Sequence, residues 1–452
     1  MNVEQSTIPK KFHDAVLHWQ RHNFPDYDLL PQNWEKYFPN EPAFCLCAKM
    51  EIGMSDTIEV GDKQGAARML KPSEMGEDAA KHLLAIIRAQ ASTEFGSIQQ
   101  HEMTLARAPE DEDRFWVLRV MAEELRHGYQ MFHMLTSQDW SSVSRQSAEE
   151  MIEEILSMRT GSHVLDAFNV DYDSFVDNVV FAAVIDRVGK YQLAMQRVCS
   201  YKPFAQSMPP MLREEAFHLA AGVIPLRRWV QRAAQGAELV TMQAIHKSFN
   251  KWMPRGLEMF GHEKGGESNI RFGFKNLKNA EAQSQYYDEC KKMIADLNQR
   301  YLRARFPKLS PDEAESLAVR LLRGGERHQG VSADDLIELP EQRFFRRKGE
   351  PAWTMVGTRG ETFADVESYV AHLRATLPEP YLASRDMKQY VETLREVVSG
   401  KITADQASKR MPNLKRVGGV CPCSNSVRWI VEEPPATNGP TARAPNAKAD
   451  RP

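Results

Sequence analysis

Two segments, Glu124-Leu125-Arg126-His127 and Glu215-Ala216-Phe217-His218, are the only places in 452 residues where a Glu stands three positions before one of the thirteen His. On a helix, positions i and i+3 share a face, so each couple can direct a carboxylate and an imidazole to one metal ion. Chance alone gives about one such couple among this many His, and an ordinary surface ion pair is its plain reading. Two further acids change that weighing. Glu94 lies 30 residues before Glu124, and Asp186 lies 29 before Glu215. The midpoints of these intervals fall on turn signals, at Pro109 and within Ser200 to Pro203. A chain that climbs about fifteen helical residues to a turn, about 22 Å at 1.5 Å each, and descends as many returns to the same height. Each hairpin then sets an acid level with a Glu-x-x-His couple.

The hairpins also repeat each other, since Glu94 to Asp186 is 92 residues and Glu124 to Glu215 is 91. Carboxylate, Glu-x-x-His, carboxylate, Glu-x-x-His on four helices is the inward-facing set of ferritin-like di-metal carboxylate bundles. Four carboxylates and two imidazoles are hard-to-borderline donors, suited to iron or manganese. The acids stand in apolar or small-residue runs, FAAVIDRVG and AQASTEFGS, where unpaired burial would be costly and a bound dication would relieve it. Gln90 is one turn before Glu94, on its face, and Arg187, Gly189, Lys190, Tyr191 and Gln192 cluster after Asp186. Glu123 and Glu214, next to ligand candidates, point elsewhere on their helices and read as solvated or Arg-paired.

The elements that must hold these residues are legible from period. Long amphipathic helices are expected over residues 77–108, 111–137 and 172–200, and a fourth beginning after Pro209-Pro210, with Pro225 as a kink. A shorter helix is expected over SAEEMIEEILSMR and a later one over AEAQSQYYDECKKMIADLNQRYLRARF. The reading is all-α: a ferritin-like four-helix bundle with terminal extensions. Residues 1–75 form an N-terminal extension packed on the main body, 76–305 the bundle and following helices, 306–430 a mixed region with a short hairpin around Trp353, and 431–452 a disordered tail rich in Pro and Ala.

Composition limits the function. With 58 Lys and Arg against 61 Asp and Glu there is no basic surplus for nucleic acid, and no run of about 18 apolar residues could span a bilayer. The first residues carry no apolar signal core, so a cytoplasmic protein is expected. Six Cys, with two C-x-C pairs at Cys45/Cys47 and Cys421/Cys423, suit incidental thiols better than a zinc site.

STEFGSIQQ, AEELRHGYQMFHML, IDRVGKYQLA, LREEAFHLAAG and LEMFGHEKGGESNIRFGFKNLKNAEA together resemble the di-iron oxygenase components of the benzoyl-CoA and phenylacetyl-CoA epoxidase family, over about residues 76–305. The resemblance implies iron ligands at Glu94, Glu124, His127, Asp186, Glu215 and His218. It implies catalysis around Glu94, Glu124 and Asp186 with Gln90 beside them, the shorter Asp186 leaving room at one iron. The implied reaction is O2-dependent epoxidation of the aromatic ring of an aryl-CoA thioester, benzoyl-CoA first, by a centre of two iron ions. Electrons would come from NADPH through a separate flavin and iron–sulfur reductase, since the chain has no G-x-G-x-x-G unit and no Cys₄ cluster pattern. The sequence departs from the family in the longer join at His262 to Gly266 and throughout the C-terminal third, so phenylacetyl-CoA or another aromatic stays open as substrate. A ferritin-like iron protein without organic substrate is the alternative, though the extensions exceed what storage needs. Arg343, Arg346, Arg347 and Lys348, interleaved with Phe344 and Phe345, suit CoA phosphates or a solvated basic face equally.

Overall fold

The structure is a computed structural model that describes residues 2–342 apart from 161, 171, 173, 237–239 and 262, and scattered positions from 356 to 431. The chain begins with strand β1 (Val3–Ser6), helices α1 (Lys10–Asn23) and α2 (Leu29–Tyr37), and strand β2 (Ala48–Glu51). Four long helices follow as two hairpins: α3 (Glu77–Leu105) with α4 (Asp111–Thr136), then, after the short α5 (Ala148–Ser157), α6 (Phe175–Gln196) with α7 (Lys202–Ala234). Beyond them come α8 (Met242–Glu258), α9 (Glu263–Arg271), α10 (Asn279–Arg305) and α11 (Pro311–Gly324). A strand pair, β3 (Leu414–Val417) with β4 (Arg428–Val431), closes the described chain. This is an all-α, ferritin-like bundle, as the spacing of the acids and His requires.

Local chemistry fixes the helix ends. Asp111, Glu112 and Asp113 open α4 at the positive end of its dipole. Ser147 and Ser310 form capping boxes with Glu150 and Glu313, and Ser174 accepts from the Val176 N–H. Helix α6 is buried on nearly every side from Phe175 to Val188, packing on α7 and α8, so its sequence has no polar face to show.

Three features differ from the sequence reading. Helix α7 starts at Lys202, so Pro209 and Pro210 lie inside it rather than before it. Pro203 already occupies its first turn, and the buried Phe204, Met208 and Met211 offset the two hydrogen bonds the inner prolines forgo. Helix α8 was not expected, because Lys247, Lys251 and Arg255 break its apolar pattern. All three are buried, and Asp177 of α6 accepts from Lys251 Nζ at 2.9 Å, Ser248 Oγ at 2.6 Å and Trp252 Nε1 at 2.8 Å. The N-terminal segment also contains an antiparallel strand pair, β1 with β2, in which Gln5 faces Lys49. The expected hairpin around Trp353, the basic cluster at Arg343 to Lys348, and residues 432–452 of the expected tail lie outside the described residues. Among the described residues no helix is long and apolar enough to cross a membrane.

Helices α6 and α7 pack tightly at Gly222, where a Cβ would stand 2.3 Å from the Ala183 nitrogen and 2.7 Å from its Cα. Backbone cannot move aside as a side chain can, so Gly222→Ala must push the hairpin apart. The variant is expected to lose about 1–3 kcal/mol of stability, read as a lower denaturation midpoint. An unchanged midpoint would contradict this contact.

Candidate metal centre

Each long helix brings one part of the constellation to the same level. Helix α3 supplies Glu94, α4 supplies Glu124 and His127, α6 supplies Asp186, and α7 supplies Glu215 and His218. Donor atoms of Glu94, Glu124 and His127 form one group within 4.8 Å of one another, and those of Glu124, Asp186 and His218 form a second. Glu124 belongs to both. Its Oε2 lies 3.7 Å from His127 Nδ1 and its Oε1 lies 3.2 Å from His218 Nδ1. Glu215 Oε2 is 3.4 Å from His218 Nδ1, and Glu94 Oε2 is 3.9 Å from His127 Nδ1. The two imidazole centroids are 5.5 Å apart. The arrangement is that of two adjacent cation positions sharing a carboxylate.

The atoms that converge are those the protein leaves unsatisfied. His127 Nδ1, His218 Nδ1, Asp186 Oδ2 and Glu215 Oε2 are all buried and have no hydrogen-bond partner. Buried polar atoms are almost always paired, so four orphans aimed at one place call for a ligand the polypeptide does not supply. Protonation tells the same story. Burial drives Glu94 well above the ordinary carboxylate range, with the Glu124 charge adding to it, and drives Asp186 up likewise, helped by Glu124 and Glu215. Burial raises Glu215 too, although His218 opposes the rise. Burial also opposes ionisation of Glu124, yet the close approach of Glu94, His127 and His218 holds it well below the usual value. Burial would strip the proton from His218, but Glu215, Glu123 and Glu124 hold it there well above the imidazole range; in His127 the same contest with Glu124 and Glu214 also ends upward. Without cations, the cluster must keep protons to exist. Hard divalent ions fit it, because they replace those protons and satisfy all four orphans.

Behind the imidazoles lies a second pair of carboxylates. His127 Nε2 is 2.9 Å from Glu214 Oε2, and His218 Nε2 is 3.1 Å from Glu123 Oε2. A carboxylate only accepts, so Nε2 carries the proton and Nδ1 is left for a metal. The pairing crosses between hairpins: the Glu preceding each ligand candidate supports the other hairpin's His. Glu123 is buried and Glu214 half-buried, and each pairs with an Arg, Glu123 with Arg119 Nε at 2.9 Å and Glu214 with Arg126 Nε at 2.6 Å. The doubled Glu in EELRH and EEAFH was the visible signal for them.

A cavity of about 340 Å³ opens on the other side. Glu94, Glu124, Asp186 and Glu215 border it while neither His does, so the carboxylate face is the reachable one. Its walls are largely apolar, with Ile86, Leu165, Phe168, Ile185, Leu193, Phe204, Met259, Phe260 and Phe274. Gln90 hydrogen-bonds Glu94 and also lines the cavity, as do Gln192 and Gln196. Gly189 gives Glu215 room, since a Cβ there would stand 2.8 Å from Glu215 Oε1. Arg187, Lys190 and Tyr191, grouped with Asp186 in the sequence, instead turn to Glu289 of α10, at 2.8, 2.7 and 3.0 Å.

The raised groups fix a pH dependence. Glu94, Asp186 and Glu215 keep protons in the fold beyond the unfolded value of 3.8 or 4.5, and His127 and His218 beyond 6.5. The stability they give is complete below those values and is lost as pH climbs through the folded ones. Glu124 and Glu214 have the opposite sign but are already fully ionised in the unfolded chain above pH 6.5. The metal-free protein is therefore expected to melt lower as pH rises above 6.5, and divalent metal to release protons on binding and flatten that slope. Calorimetry across pH, with and without metal, checks both; a metal-free slope of opposite sign would contradict the protonation described.

Comparison with known proteins agrees with this architecture. Over 153 residues, 34% of this chain and 32% of the relative, the sequence is 30% identical to benzoyl-CoA oxygenase component B of Aromatoleum evansii, so the match spans about a third of either protein. The profile of the family described as phenylacetic acid catabolic protein matches residues 58–305, more than half of the chain and all of the four helices that carry the constellation. The chain is thus a member of the phenylacetic acid catabolic protein family.

Proposed function

We propose that the protein is the oxygenase component of a di-iron monooxygenase that inserts one atom of O2 into the aromatic ring of an aryl-CoA thioester, benzoyl-CoA foremost, as an epoxide. The observation that carries this reading is an apolar cavity bordered by all four carboxylates of a two-cation donor set. A storage protein needs entry for ions, whereas a cavity walled by Phe168, Phe204, Phe260 and Phe274 suits a planar ring. The family membership and the name of the Aromatoleum relative point the same way.

In this reading Glu94, Glu124, His127, Asp186, Glu215 and His218 would hold two iron ions, and Glu124 belongs to both donor groups. Bound iron would supply the electrons and the binding position through which O2 is activated. The chain's own residues do the rest. Four carboxylate charges balance two dications and favour the oxidised state. Glu123 and Glu214 hold each imidazole in the tautomer that leaves Nδ1 toward the metal. Gln90, bonded to Glu94, keeps that carboxylate turned to the cavity edge, and the apolar walls hold the ring beside the centre and keep bulk water away. One oxygen atom enters the ring and the other leaves as water, which takes two electrons and two protons. We assign the electrons to NADPH through a separate flavin and iron–sulfur reductase.

Two measurements test this. Glu124→Ala and His218→Ala are expected to lose retained iron, the first at both positions because it is shared; full iron content in both variants would contradict the ligand assignment. Aerobic turnover of the iron-loaded protein with a surrogate reductase is expected to give a product 16 mass units heavier from benzoyl-CoA or a related aryl-CoA, and none from free benzoate. A heavier product from the free acid alone would contradict the thioester requirement.

A further inference from the structure

The two carboxylates behind the imidazoles are not equivalent, and the difference originates outside the bundle. Glu214 faces two cations. Arg126, fully buried, donates from Nε to Oε2 at 2.6 Å, and Lys49 donates from Nζ to Oε1 at 2.8 Å. Glu123 faces one, Arg119, whose Nε donates to Oε1 at 2.9 Å. That guanidinium is shared: Glu41 approaches it at 3.7 Å, and it lies 3.8 Å from the centroid of the Phe217 ring. Lys49 is placed by more than its charge. It sits in β2, and its backbone N–H donates to Gln130 Oε1 at 2.7 Å, one turn beyond Arg126 on α4.

A carboxylate accepting from a metal-bound imidazole increases the electron donation of that imidazole to the metal. Cations on the carboxylate draw charge back and weaken the effect. We propose that Lys49 widens the electronic difference between the two metal positions, favouring the reduced ion at the position of Glu94 and His127 over that of Asp186 and His218. The inference rests on the di-iron reading above and adds to it a positioning residue from the N-terminal segment. It also gives that segment a role at the site: β2 carries the charge that separates the two positions.

The test is a stepwise redox titration of the iron-loaded chain and of its Lys49→Met and Lys49→Arg variants, reading the mixed-valence electron paramagnetic resonance signal at half reduction. Unequal positions populate the mixed-valence state; equal ones do so less. Wild type and Lys49→Arg are expected to give the large signal, and Lys49→Met a signal several-fold smaller, at equal iron content and unchanged circular dichroism. The backbone bond to Gln130 does not involve the side chain, and Lys49→Gln serves as a second charge-free variant should Lys49→Met not fold. A charge-free variant that keeps two irons and the full signal overturns this inference alone. A wild-type chain that takes up no iron overturns the di-iron reading and this inference with it. A purely structural role for Lys49 would lower iron content or melting temperature without moving the signal, and that result overturns it too.

Discussion

Four carboxylates and two imidazoles packed at one level inside a helical bundle cannot stay there on their own terms. Desolvation raises Glu94, Asp186 and Glu215, while the remaining acid, Glu124, keeps its charge only through the close approach of Glu94, His127 and His218. Burying such groups unpaired costs several kcal/mol each, too much for a fold whose net stability is of that order. The positions of the helices follow from this constraint. Four of them must converge so that these groups meet one another, in an arrangement that fits two cations, instead of hydrocarbon.

The surroundings of the cluster divide by face. On the imidazole side Glu123, Glu214, Arg119, Arg126 and Lys49 form an ionic layer that fixes each ring, with Lys49 coming from the N-terminal segment. On the carboxylate side there is a cavity whose walls are largely apolar but also carry His82, Asn269, Lys275 and Asn279. A molecule held there would meet the carboxylates, with both imidazoles out of its reach. Helix α7 serves both faces, with Glu214 behind His127 and Phe204, in the turns before Pro209 and Pro210, on the cavity wall.

Much of this is legible in the sequence because it is periodic. The i, i+3 couples, the 30- and 29-residue intervals and the turns at their midpoints define two hairpins, and these bring Glu94, Glu124, His127, Asp186, Glu215 and His218 together in space. What is not legible depends on partners far along the chain. Helix α8 hides because Lys251 looks like a surface residue until Asp177, 74 positions earlier, accepts from it. Lys49 carries no sign of its role, since Glu214 is 165 positions away. Glu123 and Glu214 were visible as doubled acids, yet each supports the His of the opposite hairpin, a crossing that one helix's geometry does not contain. The four-residue strands β1 and β2 are too short for an alternation to register.

The central proposal is that the six converging donors would hold two iron ions, with Glu124 within reach of both imidazoles. Crystals of the iron-loaded protein, measured at the iron absorption edge, test it most directly. The account predicts two anomalous peaks inside the bundle, one within bonding distance of His127 Nδ1 and one of His218 Nδ1, with Glu124 reaching both. A single peak, or peaks that leave either imidazole bonded only to its supporting Glu, would contradict it.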